Sequence, residues 1–215
     1  MWELIDFAVL SFASLFVIVD PIATVPAFLA MTERDTQAER LRMATLSSCV
    51  AGGVLAIFAL GGQRVLLTFG VTVPAFEIAG GIVLLKVALD MLQGRRTALK
   101  ETPEEQAAGA KKEDVAITPL GVPMLAGPGA ITAVLLLTSK ADQGLKYGIV
   151  LSNIFLVSGL TYLIFRFSVI RPAIFSTITL RIVTRLMGLL LAAIAVQFIV
   201  NGVGSVTLSP LLSVK

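Results

Sequence analysis

The 215-residue chain contains no histidine and one cysteine, Cys49. The first absence excludes imidazole metal ligands and catalytic triads that depend on histidine. The second excludes a disulfide within one chain. No Walker-type GxxxxGK(S/T) loop is present either, so direct use of ATP is not predicted. The sequence therefore predicts neither an enzyme, nor a metal centre, nor a bound cofactor.

Charged residues are also scarce. They make up 14% of the chain, whereas 56% of the residues are hydrophobic and the mean hydropathy is +0.92. An ordinary soluble domain is about 25% charged, so this balance is typical of an integral membrane protein surrounded by a lipid bilayer. The pI near 9.2 does not indicate nucleic-acid binding, because the basic residues are spread through short loops.

Long apolar stretches alternate with short polar ones along the chain. A helix that crosses a bilayer needs about 20 apolar residues, and we find six candidates: 5–31, 43–61, 65–92, 115–139, 145–169 and 178–203. We therefore predict an all-α polytopic membrane protein with six transmembrane helices. The polar stretch 94–114 divides it into a first three-helix repeat, 1–93, and a second, 115–215.

The basic residues predict the orientation in the membrane. One set of connectors, including 94–114, holds twelve of the 17: Arg34, Arg40, Arg42, Arg95, Arg96, Lys100, Lys111, Lys112, Arg166, Arg171, Arg181 and Arg185. The other side holds only Arg64, Lys140, Lys146 and Lys215. By the positive-inside rule, 94–114 is a cytoplasmic connector and both termini lie outside the cytoplasmic membrane.

Three helices per half imply that the second half enters the membrane upside down. Similar halves would then form an inverted repeat, as in many secondary transporters. Pro21 and Pro128 fall near the same point of the first helix in each half. At a constant offset, Gly80 and Gly94 align with Gly188 and Gly202.

The first helix of each half contains residues that break helices. In VDPIATVP, Asp20 is a preferred N-cap and Pro21 a preferred first helical residue, so a new half-helix is predicted to start there. In TPLGVPMLAGPGA, a second half-helix is predicted to start near Gly127 and Pro128. Irregular backbone at membrane depth is tolerated where it is buried in protein or lines a cavity. The two breaks therefore indicate a central binding site.

The half-helix ends give this site a polarity. Free amides at a helix N-terminus attract anions, and the glycines of AGPGA would let a carboxylate approach them. The carbonyls that end the preceding half-helices, together with Asp20, suit an ammonium group. Hydroxyls of Thr24 and Thr132 could orient such a zwitterion. The alternative, that Asp20 only caps its helix, stays open.

Other polar residues lie within the apolar stretches. Lys86 and Asp90 share a helix face and can pair, and Asp90 can reach Arg185 at the cytoplasmic end. Glu77 lies toward the outer face and is not expected to reach Arg185. The coupling or gating candidates are thus Asp20, Lys86, Asp90 and Arg185. Hydrogen bonds between helices are expected of Ser47, Ser48, Ser152, Asn153, Gln197 and Asn201.

Four segments of the chain resemble the MarC family of integral membrane proteins, which includes SnatA-like transporters of small neutral amino acids. They are VDPIATVPAFLAMT, VPAFEIAGGIVLLKVALDML, PLGVPMLAGPGAIT and RLMGLLLAAIAVQFIVNG. The resemblance covers nearly the whole chain except 94–114. It implies two inverted repeats with helices 1 and 4 broken around the substrate. Where the family often reads DPxGNxP, this chain has Ala23 and Thr24 at the Gly-Asn positions.

The residues and the resemblance together predict a secondary transporter that works by alternating access. The expected substrate is a small neutral, glycine- or alanine-like amino acid, and the coupling ion is Na⁺ or H⁺. The candidate substrate-binding residues are Asp20, Pro21, Ala23, Thr24, Gly127, Pro128, Gly129, Ala130 and Thr132. The alternatives are an intramembrane acid/base enzyme using Asp20 and Asp90, a cation exporter, and a scaffold without cargo. A homo-oligomer is compatible with the sequence.

Overall fold

The computed structural model describes residues 2–93, 116–141, 144–175 and 177–212, and none of these residues lies in a β-strand. The predicted connector 94–114 falls outside the described residues, as does Gly94. The helices are α1 (Trp2–Val19), α2 (Pro21–Met31), α3 (Gln37–Thr68), α4 (Val73–Gln93), α5 (Ala116–Leu125), α6 (Pro128–Lys140), α7 (Leu145–Ile170) and α8 (Thr177–Leu212). A short 3-10 turn, Pro172–Phe175, precedes α8.

The first apolar segment is interrupted where the sequence predicts. Helix α1 ends at Val19, Asp20 adopts a left-handed conformation (φ 49°, ψ 61°), and Pro21 is the first residue of α2. Proline suits that position because its missing N–H has no partner there in any helix. Both predicted break residues thus have the roles that their chemistry favours.

The second break is longer and sharper. Within α5, Thr118 and Val122 are extended, and each precedes a proline, which disfavours helical angles in the residue before it. The chain bends by 56° between α5 and α6. Helix α6 begins at Pro128 after an extended Gly127. The predicted start of the second half-helix is therefore correct.

The predicted count of six spans is not reached on length and composition. In the described part of the chain, four helical stretches are long and apolar enough: 2–31, 37–62, 145–170 and 178–206. The bent pair of α5 and α6 adds a fifth. Helix α4 does not qualify because Glu77, Lys86 and Asp90 lie within its 21 residues.

One predicted boundary is wrong. The predicted third segment, 65–92, starts too early, because α3 continues to Thr68 and the turn at Gly70 (φ 65°) separates it from α4. Leucine and valine continue a helix as readily as they begin one, so the apolar pattern alone cannot locate this turn.

The strongest contacts between helices join the two halves of the chain. Helix α4 packs on α8, and α3 packs on α5, α6 and α7. Glycines bring α4 and α8 together: a Cβ on Gly81 would lie 2.8 Å from the Ala195 carbonyl, and one on Gly202 would lie 2.9 Å from the Pro74 carbonyl. Small residues at such positions let helix backbones approach closely in membranes.

Side chains of α7 attach it to the first half. The Asn153 amide donates to the Ala8 carbonyl (3.0 Å) and to the Ser11 hydroxyl (2.7 Å) of α1. The Tyr147 hydroxyl donates to the Ala59 carbonyl of α3 (2.6 Å). Asn153 thus makes the predicted bond between helices. The buried rings of Phe28 and Phe165 stack in parallel, with centroids 4.5 Å apart.

Candidate functional site

Asp20 caps helix α2. The residue is buried, with 3% of its surface exposed, and its Oδ1 accepts a hydrogen bond from the Ala23 amide at 3.2 Å. The Asp20 carbonyl accepts from both the amide (3.3 Å) and the hydroxyl (3.0 Å) of Thr24. Aspartate is among the few residues besides glycine that tolerate left-handed angles. The capping role is therefore present, and contact between Asp20 and a substrate stays a prediction.

Helix α6 starts differently. Gly127 precedes it and has no side chain that could accept a cap hydrogen bond from the amides of Gly129 and Ala130. Ala23, by contrast, gives its amide to Asp20. The two half-helix starts are thus unequal: α6 offers uncapped amides, and α2 carries a carboxylate.

The two breaks lie close together. A Cβ on the buried Gly129 would meet the side chain of Leu84 and lie 3.6 Å from Ile18 Cγ2, two residues before Asp20. Helices α1 and α6 contact each other, as do α2 and α5. The half-helix starts therefore converge, although Pro128 itself is exposed.

The hydroxyls of Thr24 and Thr132 both bond back to the carbonyl four residues earlier, at the start of their own half-helices. The Thr24 hydroxyl donates to the Asp20 carbonyl, and the Thr132 hydroxyl donates to the Pro128 carbonyl at 2.8 Å. Each proton is thus used within its own half-helix, so each hydroxyl can serve a substrate only as an acceptor. Thr132 also fills the space beside Gly80 of α4, where a Cβ would collide with it.

The remaining candidates are divided between buried and partly exposed positions. Pro21 and Ala130 are buried, whereas Ala23 and Gly127 are partly exposed. Most of the predicted substrate-binding residues are therefore buried, and helix α6 contacts both α1 and α4 beside them.

The predicted charged contacts on α4 are not formed. Among the described residues, Asp90 makes no ion pair with Lys86 or with Arg185. Lys86 and Arg185 are exposed and Asp90 is partly buried. Gly188 packs beside Met91, so Arg185 and Asp90 do lie toward the same end of the α4–α8 pair. Their coupling or gating role stays a prediction.

An ion pair that the sequence did not predict joins Glu77 to Lys140 at 3.4 Å. The Glu77 side chain is 4% exposed and that of Lys140 is 54% exposed. The pair connects the start of α4 to the end of α6, 63 residues apart. The predicted topology places both residues at the outer face, and this was the signal that could have found the pair.

One cavity of the molecule lies away from the breaks. A cavity of about 430 Å³ opens at the Lys140 end of the molecule and is lined by residues that include Ala59, Arg64, Ser139 and Tyr147. In the described ranges, no three acidic or cysteine side chains gather as metal ligands would.

Comparison with known proteins identifies the family. A family model described as MarC family integral membrane protein matches residues 5–207. The UPF0056 membrane protein MJ1677 of Methanocaldococcus jannaschii is 40% identical, over 93% of this chain and 97% of its own. The UPF0056 membrane protein YvbG of Bacillus subtilis is 33% identical (97% and 98% covered), and YhcE of Escherichia coli is 30% identical (89% of each).

These relatives carry the names of membrane proteins and not of enzymes. No solved structure matches this chain. The family model spans the four segments quoted above, both helix breaks and the α4–α8 pair. The chain belongs to the MarC family of integral membrane proteins.

Proposed function

We propose that this protein is a secondary transporter that moves a small neutral amino acid across the cytoplasmic membrane by alternating access. The observation that carries the proposal is the convergence of two broken helices, one in each half of the chain, at Asp20 and at Gly127. Discontinuous helices of this kind form the substrate sites of many secondary transporters.

The helix contacts support an inverted repeat of six spans. Suppose that the broken helix α1–α2 corresponds to α5–α6, α3 to α7 and α4 to α8. The repeat symmetry then maps the pair α3–α7 onto itself, and likewise the pair α4–α8. The contact of α2 with α7 then corresponds to that of α6 with α3, and the contact of α2 with α8 to that of α6 with α4. All of these contacts are observed.

The unequal half-helix starts support a zwitterionic substrate. The uncapped amides of Gly129 and Ala130 at the positive end of α6 suit a carboxylate. The carboxylate of Asp20 suits the ammonium group. The buried setting and the close packing of Gly129 on Leu84 favour a substrate no larger than glycine or alanine. Asp20 is also the candidate to bind Na⁺ or H⁺ as the coupling ion.

The alternatives have less support. An acid/base enzyme needs Asp20 and Asp90 within reach of one substrate. Leu84 lies beside Gly129 at the level of the breaks, and Asp90 is six residues further along α4, about 9 Å along the helix axis. A cation exporter would need several oxygen ligands near Asp20, and in the described ranges no group of three acidic side chains lies together there.

The test is a counterflow assay. The purified protein is reconstituted into liposomes loaded with an unlabelled amino acid, and uptake of labelled glycine, alanine and larger amino acids is measured. We expect uptake of the two small ones. Silence across all small amino acids would refute the substrate class.

A matched pair of valine variants tests the site. A side chain at Gly129 would enter the space of Leu84 and Ile18, whereas one at Gly53 of α3 would meet nothing within 4 Å. We expect Gly129→Val to lower counterflow by about tenfold or more through overpacking of the first turn of α6. Gly53→Val should transport normally. Equal rates in both variants would show that the second break does not serve transport.

A further inference from the structure

Helix α8 presents a regular seam of residues away from the rest of the molecule. Leu186, Leu190, Ala193, Gln197, Val200 and Gly204 follow one another at intervals of four, three, four, three and four residues. The first five are exposed and Gly204 is partly exposed, with nothing within 4 Å of an added Cβ. Such 3-4 spacing is that of the a and d positions of a coiled-coil helix.

The seam faces away from α4. The residues of α8 that pack on α4 include Gly188, Ala195, Ile199 and Gly202. Gln197 lies two residues after Ala195, which turns it by about 200° around the helix. Within the described chain, no helix covers this face of Gln197.

Gln197 is a polar residue at hydrocarbon depth. Residue 192 is midway along the apolar stretch Ile178–Val206 of α8. Gln197 is five residues from that midpoint, about 8 Å along the axis, and half of the hydrocarbon core is about 15 Å thick. Its neighbours Val196 and Val200 are 48% and 57% exposed, as lipid-facing residues are.

The Gln197 amide is incompletely hydrogen-bonded. Among the described residues its only recorded bond is from Nε2 to Asn201 Oδ1, at 2.8 Å. One N–H and the carbonyl oxygen of Gln197 therefore remain, and lipid chains offer neither a donor nor an acceptor. Polar amides in this setting are a recognised source of association between membrane helices.

We propose that two copies of this chain pair in parallel through the α8 seam, with Gln197 of one copy hydrogen-bonded to Gln197 of the other. A second copy is the occupant that the chemistry favours, because an amide is self-complementary: each copy donates its remaining N–H to the carbonyl of the other. Two copies inserted in the same orientation bring equal a positions face to face. A single polar a residue also fixes the register of such a pair.

Ala193 and Gly204 favour close packing between the two copies of α8. Both are small and lie on either side of Gln197 along the seam, which allows the two backbones to approach. The inference depends on membership of an integral membrane family and is independent of what the protein transports.

Cross-linking in liposomes tests the pairing. In a Cys49→Ser background, Ala193→Cys and Val200→Cys place thiols on the seam, and Phe155→Cys places one on the exposed face of α7 as a control for random collision. After oxidation at high lipid-to-protein ratio, we expect interchain disulfides at positions 193 and 200 and few at position 155. Equal cross-linking at all three positions would overturn the proposal.

The role of the amide needs a second measurement. Energy transfer between copies labelled at Cys49 reports association as the protein is diluted with lipid. Gln197→Leu should weaken association by about tenfold, and Ser152→Leu, which removes an exposed polar residue from α7, should leave it unchanged. Both variants should elute as folded protein in detergent. Unchanged association in Gln197→Leu would refute the Gln197 pairing.

Discussion

Asp20 both starts a helix and places a carboxylate in a buried position within a membrane segment. Its left-handed backbone and its bond to the Ala23 amide start α2, and its side chain is buried two residues after Ile18, which lies beside Gly129 of α6. Gly127 achieves the corresponding turn with an extended backbone and no cap. The difference at one residue gives the two half-helix starts opposite electrostatic character.

Two substitutions at Asp20 separate the cap from the charge. Asparagine caps as well as aspartate and tolerates left-handed angles, so Asp20→Asn should keep the melting temperature of the protein in detergent. Asp20→Ala loses the cap and should be destabilised by about 2 kcal/mol. If the charge binds the substrate or the coupling ion, both variants lose counterflow. A fully active Asp20→Asn would limit Asp20 to capping.

At the scale of the helix, α4 and α6 contact each other at two depths, one beside the helix breaks and one at the end of α6. Gly80 packs on Thr132, and Leu84 on Gly129, at the level of the breaks. Glu77 and Lys140 pair toward the end of the molecule where α6 stops. Since α4 and α6 belong to different halves, the ion pair is a direct link between them.

A double-mutant cycle measures this link. Lys140→Gln leaves the buried Glu77 carboxylate without its partner and should lower the free energy of unfolding by about 1 kcal/mol, a modest value because Lys140 is half exposed. Glu77→Gln should cost less, since it removes the buried charge as well. Chemical unfolding in mild detergent gives the values. The coupling energy should be favourable, and strictly additive effects would show that the contact contributes nothing.

The helix breaks could be predicted from the sequence, whereas for the ion pair the sequence could place both residues at the outer face but could not predict their contact. Proline, glycine and the Asp20 cap act on the backbone within one turn, so their effects can be read locally. Glu77 and Lys140 are 63 residues apart in sequence, and their contact depends on how α4 packs against α6. No local sequence pattern encodes this packing. The end of α3 at Thr68 was misplaced for a similar reason, because the apolar pattern runs through the turn at Gly70.

At the scale of the whole molecule, the number of spans rests on α4. Each of the other spans contains an 18-residue apolar stretch with at most two charged residues, whereas α4 has three, yet α4 packs along α8 for its length through glycines. A helix so covered on one side needs less apolar surface than one that faces lipid all round. The proposed six-span topology therefore depends on α4 crossing the membrane with α8 as its partner.

Labelling with an impermeant maleimide tests this topology. In a Cys49→Ser background, Phe69→Cys marks the turn between α3 and α4, Gln93→Cys the end of α4, and Arg34→Cys the link between α2 and α3. In intact cells we expect position 69 to label, and positions 34 and 93 to label only after permeabilisation. Labelling of 69 and 93 from the same side would show that α4 does not cross the membrane.

The glycine contacts of α4 with α8 carry a mechanical consequence. Backbones that meet without intervening side chains have little room to slide, since a shift of one residue would set a β-carbon against a carbonyl. The α4–α8 pair also joins the two halves through their last helices. We therefore expect any motion of one half against the other to turn about this pair as a pivot.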